Sequence, residues 1–204
     1  CKQITQQMIQ DWVLHKAKVS PVTANREIRY LRSLFNHGIK KDLITVNPTK
    51  GIDFLPTEKR LKYIPPAEDI DLVIAMADKD TQDYLWAIRE TMARVNEINR
   101  LSWDDVDLHN RFVVLYTRKK KGGHLTPRKV PTTEKLQSIL LHRHDERDLS
   151  LPWVFWHKER RQPFQNRNKL MGRLCPKAEV KPFGFHALRH AGASIMDMNN
   201  VPIG

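Results

Sequence analysis

Apolar residues recur at helical spacing through most of this chain, and the pattern breaks decisively at Phe112-Val113-Val114-Leu115-Tyr116-Thr117. A β-branched and aromatic run of this kind is a strand pattern. Arg118-Lys119-Lys120-Lys121-Gly122-Gly123 then turns the chain, and Arg128-Lys129-Val130-Pro131 returns it. The expected fold is therefore mainly α with a small antiparallel β-sheet or hairpin, and the hairpin tip is heavily cationic.

The helices flanking this break can be read from their caps and stripes. Ile4, Met8, Ile9, Trp12 and Val13 recur at helical spacing and predict a first helix. Ser20-Pro21 is a cap followed by proline at the first helical position. The next helix carries Ala24, Ile28, Leu31, Leu34 and Phe35 inward and is expected to end near Gly38. Asn47-Pro48 and Gly51 close this region, and the stretch from Pro56 to Pro66 reads as a linker. The organisation predicted is a partial helical domain over 1–56, a linker over 57–65 and a second domain over 66–204. Because the first part is short and opens on Cys1 in apparent helix, the chain is expected to be an excised fragment with helices upstream.

Beyond the linker, Glu68 and Asp69 suit a helix N-terminus, with Ile70, Val73, Ile74 and Ala77 as its apolar stripe. A helix from about Gln82 should bury Leu85, Trp86, Ile88 and Met92. After the hairpin, Thr132 or Thr133 caps a helix with Leu136, Ile139 and Leu140 inside. Trp153 to Trp156 is a short apolar run, and Asn166 to Leu174 is a helix burying Leu170, Met171 and Leu174.

Composition narrows the function classes. Net charge is +12 over 204 residues, which points to a polyanionic partner, most often nucleic acid. With no long apolar run, a membrane partner is not expected. The two cysteines, Cys1 and Cys175, stand far apart. They argue against a disulfide scaffold or a cysteine-based zinc site, and for a reducing, cytosolic setting.

Four places carry candidate chemistry. In Phe185-His186-Ala187-Leu188-Arg189-His190, a helix puts His186, Arg189 and His190 on one side. That pairs a titratable imidazole with a guanidinium fork that grips planar oxyanions. Arg94 stands among Met92, Ala93, Val95 and Ile98, where a charge needs a partner or a purpose, and Glu97 follows three residues later. Lys119, Lys120 and Lys121 crowd the hairpin tip. Arg26, Arg29 and Arg32 share a face of the second helix and are DNA-backbone candidates, as are Lys120 and Lys121.

Taken in order, the arginine box Thr91-Met92-Ala93-Arg94-Val95-Asn96-Glu97-Ile98, the stretch Leu101-Ser102-Trp103-Asp104-Asp105-Val106-Asp107, the lysine hairpin ending in Val130-Pro131, and His186-Ala187-Leu188-Arg189-His190 resemble the tyrosine recombinases, the phage integrase family. Val22-Thr23-Ala24-Asn25-Arg26-Glu27 and Val46-Asn47-Pro48 resemble the end of the helical, SAM-like core-binding domain that precedes the catalytic domain in that family.

The resemblance implies site-specific DNA recombination through a 3′-phosphotyrosine intermediate, of the kind that integrates or excises a mobile element. It implies double-stranded DNA as partner, a tetrameric synapse in the full-length protein, no cofactor, no metal, and a place in the cytoplasm with the nucleoid. Arg94 and Arg189 would clamp the scissile phosphate, and Lys119 would protonate the departing 5′ oxygen, with Lys120 and Lys121 as competitors. His186 would assist proton transfer, while Glu97 and His190 would play supporting parts. Tyr30, Tyr63, Tyr84 and Tyr116 all precede the second box. The nucleophile is therefore expected to be absent from this chain, which should bind DNA without cleaving it. Two rival readings stand beside this one. One is a non-catalytic DNA-binding relative. The other is a metal-dependent nuclease using His186 and His190 as ligands, although the glutamate of an HExxH motif is missing because residue 187 is alanine.

Overall fold

The computed structural model describes residues 4–58, 61, 63–117 and 123–198, the last six as backbone. The chain divides into two compact units, Cys1–Leu61 and Lys62–Gly204.

The first unit is a pair of helices, α1 (Gln6–Ala17) and α2 (Pro21–Lys40), closed by an irregular segment. Thr5 Oγ1 accepts the Met8 N–H and Ser20 Oγ accepts the Thr23 N–H, each at 3.2 Å. These bonds satisfy amides at the helix starts that would otherwise lack partners. Ile9, Val13, Ala24, Ile28, Phe35 and Ile52 form the core. One expectation fails here. Leu34, expected inside, is 63% exposed, because it stands about 100° around α2 from buried Phe35. The helix ends at Lys40, near Gly38 as expected. A Cβ at Gly38 would lie 3.2 Å from the Ile44 side chain, so this glycine serves close packing rather than a cap. Asn25 clasps the returning segment at two points, donating to Leu55 O and accepting from Leu55 N, both at 2.8 Å.

The second unit is mainly helical with small antiparallel sheets. Its helices are α3 (Ala67–Ala75), α4 (Lys79–Thr91), α5 (Val95–Ile98), α6 (Glu134–Asp145), α7 (Lys169–Lys177) and α8 (Phe185–Met198). Strands β1 (Val106–Asp107), β2 (Phe112–Thr117) and β3 (Thr126–Pro131) make one sheet in that order, and β4 (Trp156–His157) pairs with β5 (Gln162–Pro163). The expected hairpin is β2–β3, in the register Leu115↔Arg128 and Thr117↔Thr126. Strand β1 adds a third member through Val106↔Val113. Helix α4 starts at Lys79, earlier than the sequence pattern suggested, because Asp78 caps it by accepting the Thr81 N–H at 3.0 Å. Thr133, of the two candidates, caps α6.

The core gathers around α4. Tyr84, Leu85 and Ile88 are fully buried. Tyr84 packs edge-on against Phe155, Phe164 and Phe185, with ring centroids 5.6 to 6.3 Å apart. Such contacts add to area burial. Helix α8 packs on α4 through Leu188, with Ala187 and Ala191 beside it. That contact brings the start of α8 to the end of α4.

Candidate active site

The end of α4 sets up the site. After Thr91 the chain enters the left-handed region at Met92, φ 49°. It then leads through buried Ala93 to Arg94, which caps the four-residue α5 rather than lying within a helix. Turning the backbone here aims the Met92 carbonyl at α8, where Arg189 Nε donates to it at 2.7 Å. Met92 and Arg189 are 97 residues apart in sequence. Gly192 makes the approach possible, since a Cβ there would lie 2.8 Å from Met92 Cγ and 3.4 Å from Arg89 O.

Arg94 is fixed at both ends. Its backbone N–H donates to Glu97 Oε2 at 3.0 Å, and its Nη1 donates to Glu97 Oε1 at 3.0 Å and to Thr117 Oγ1 at 2.7 Å. The Thr117 bond ties the guanidinium to the last residue of β2. Glu97 also accepts from Arg128 Nη2 at 3.0 Å. The Glu97 side chain is 2% exposed, whereas those of Arg94 and Arg128 are 35% and 38% exposed. A carboxylate so enclosed must be well paired to remain charged. Burial pushes its pKa up, but the Arg94 N–H and the Arg128 and Arg94 guanidiniums outweigh that and hold it below the usual carboxylate range.

Arg189 belongs to the same electrostatic cluster. Burial lowers its pKa, the Arg94 and Arg128 cations act in the same direction, and Glu97 opposes them. Within the cluster, three guanidiniums face one carboxylate, leaving an excess of two positive charges. An arrangement with fixed donors, partial exposure and excess cationic charge is suited to an anion bearing more than one oxygen.

The structure thus brings together Arg94, Glu97 and Arg189 from the sequence-derived set. His186 and His190 lie with Arg189 on α8, both exposed. Lys119, Lys120 and Lys121 lie outside the described residues. The three α2 arginines belong to the first unit and are not equivalent. Arg26 is exposed, but Arg29 and Arg32 flank the Phe54 ring at 5.1 and 5.0 Å, and Arg32 Nη2 donates to Ile52 O at 2.7 Å. Arg32 therefore holds its own unit together, in addition to any contact it makes outside.

Sequence reasoning assigned no role to Arg128 or Thr117. A usable signal was present in β3, where Arg128 alternates with Val130 and so shares the inward face. Among the tyrosines, Tyr84 is buried and donates to Asn99 Oδ1 at 2.7 Å, and burial raises its pKa. Burial and the Asp69 carboxylate raise that of Tyr63, and the Asp105 carboxylate and burial raise that of Tyr116. Tyr30 lies in the first unit. Among the described residues, no group of three or more His, Cys, Asp or Glu could hold a metal ion. No described helix is long and apolar enough to cross a membrane.

Comparison with known proteins gives the family and the fold. The tyrosine recombinase XerC of Proteus mirabilis is 27% identical over 146 residues, covering 68% of this chain and 45% of that protein. The integrase of Escherichia phage P2 is 25% identical over 200 residues, covering 97% of this chain and 54% of the phage protein. The chain thus spans about half the length of these curated relatives. In fold it is similar to lambda integrase residues 75–356 in a dimer bound to a COC′ core site. The TM-score is 0.77 at 15% identity, covering 97% of this chain and 75% of that one. Residues 67–204 match the phage integrase family, and the chain belongs to it.

Proposed function

We propose that this chain is the phosphate-gripping part of a site-specific DNA recombinase that works without metal, through a 3′-phosphotyrosine intermediate. The observation that supports this best is the cluster of Arg94, Arg128 and Arg189 around the buried Glu97. Attack on a DNA phosphodiester builds negative charge on the non-bridging oxygens. Arg94 and Arg189, held in place before substrate arrives, stabilise that charge without reorganising.

Lys119 is the proposed general acid for the 5′ oxygen, with Lys120 and Lys121 as alternatives. Thr117, the last residue of β2, accepts a hydrogen bond from Arg94. His186 assists proton transfer at the nucleophile, and His190 supports the α8 face of the site. The nucleophilic tyrosine is supplied from outside residues 1–204, so this chain alone binds DNA and does not cleave it. The first unit is read as part of the core-binding domain, with Arg26 as its clearest backbone contact.

Double-stranded DNA as partner is supported by the net charge of +12 and by the lambda integrase complex with its core site. Assembly into a tetrameric synapse is supported by the fold likeness to a lambda integrase tetramer bound to a Holliday junction. Integration or excision of a mobile element is the proposed role, exercised in the cytoplasm at the nucleoid. The test is strand exchange by the full-length protein in EDTA. Activity persists if side-chain cations do the work, and its loss would overturn the metal-free mechanism in favour of a metal-dependent nuclease.

A further inference from the structure

We propose that Arg128 is a positioning residue of the phosphate clamp: from β3 it holds Glu97, and through Glu97 it fixes the direction in which Arg94 presents its guanidinium. This rests on the reading of Arg94 and Arg189 as phosphate ligands.

Three observations carry it. First, Arg128 pairs in register with Leu115, which is 1% exposed. Residues directly opposite on an antiparallel ladder point to the same face. Arg128 is therefore a cation on the core side of a small sheet, unlike neighbouring Lys129, which is exposed and lies over the Phe112 ring at 4.4 Å. Second, its partner is the same carboxylate that anchors Arg94 twice. Glu97 Oε2 takes the Arg94 N–H and Arg128 Nη2, each at 3.0 Å, and Oε1 takes Arg94 Nη1. With Arg128 gone, Oε2 keeps one partner and the carboxylate can rotate, carrying Arg94 with it. Third, Arg128 contributes to the electrostatics of Arg189 as well as Glu97. It thus bears on both arms of the clamp while remaining partly open to solvent.

An ordinary surface pair would be worth little and would be interchangeable with its neighbours. A positioning residue behaves differently, because displacement of a clamp by about 1 Å can cost a rate factor of roughly 100. The charged groups facing Glu97 are Arg94 at the start of α5, Arg128 on β3 and, more distantly, Arg189 on α8.

The experiment is single-turnover cleavage of a nicked suicide substrate by the full-length protein, with DNA binding measured in parallel across pH 3.5–9. Arg128→Ala should slow cleavage by about 10- to 100-fold while leaving DNA affinity within about threefold. Arg128→Lys should recover part of the rate. The acid limb of the pH–rate profile should move to higher pH in Arg128→Ala, because Glu97 has lost one of the cations that keep it ionised. Arg111→Ala removes a cation from the β1–β2 connection, paired there with Glu134, and should leave the rate unchanged. An unchanged rate or an unmoved acid limb in Arg128→Ala would overturn the proposal, as would a rate loss matched by an equal loss of binding. A wild-type protein that fails to cleave the substrate would instead overturn the recombinase reading on which the proposal rests.

Discussion

Glu97→Gln isolates the central charge of the site with little change in volume. Glu97 accepts three hydrogen bonds, two of them from guanidiniums. A glutamine can keep only one acceptor oxygen. In its better orientation that oxygen serves the Arg94 N–H and Arg128, and its amide NH2 then faces Arg94 Nη1, donor against donor. At least one charge-assisted bond is lost, worth about 1.5–3 kcal/mol. Both arginines are more than a third exposed, so water rehydrates them and the cost should fall toward the lower end, about 2 kcal/mol. Urea unfolding at pH 7 should show the midpoint shifted down by roughly 1 M for a slope near 2 kcal/mol per molar. The pH dependence is the sharper part. The folded-state pKa of Glu97 lies below its unfolded value of 4.5, so its contribution is present above that value and disappears as pH falls through the folded-state pKa. The gap between wild type and variant should be full at pH 7 and shrink below pH 4.5. A gap that stays constant down to pH 3, or no gap at pH 7, would refute the assignment of Glu97 as a buried, ionised anchor.

Further outcomes test other parts of the structure. Alanine at Gly172, where a Cβ meets nothing within 4 Å, should stabilise α7 by up to about 1 kcal/mol, as propensity alone predicts. Alanine at Gly192 should instead destabilise by about 1–3 kcal/mol, because its Cβ collides with Met92 near the backbone. Paired thermal melts check the opposite signs. Asn25→Ala removes both bonds to Leu55 and should cost the first unit about 1–3 kcal/mol, read from amide exchange at Leu55. DNA affinity of the chain should fall steeply with salt, with a log–log slope of about −0.9 for each phosphate engaged. A flat response in a filter-binding titration would contradict phosphate recognition.

How much of this could be read in advance depended on how local each signal is. The β2 strand, the Ser20-Pro21 start of α2 and the acidic start of α3 are written in consecutive residues and appear as expected. Strand β1, at two residues, is too short to express a period, so the third strand of the sheet was invisible. Gly38 stands two residues inside the end of α2 and packs against Ile44, and a glycine that allows close packing looks the same in sequence as one that ends a helix. The site divided along the same line. Arg94 and Arg189 announce themselves through their neighbours. Arg128 matters only because β-sheet register places it across from Leu115 and over Glu97. The bond from Arg189 to Met92 depends on a left-handed residue that no local motif demands.

The central claim is that Arg94 and Arg189 act on the transition state rather than simply attracting DNA. It is tested most directly by measuring cleavage and site binding together for Arg94→Ala and Arg189→Ala in the full-length protein. The account predicts that each substitution lowers the cleavage rate by about 100- to 1,000-fold, the cost of removing one preorganised oxyanion donor, while site affinity changes by less than about tenfold. Loss of site binding in step with cleavage would show these arginines to be affinity contacts and would contradict the account.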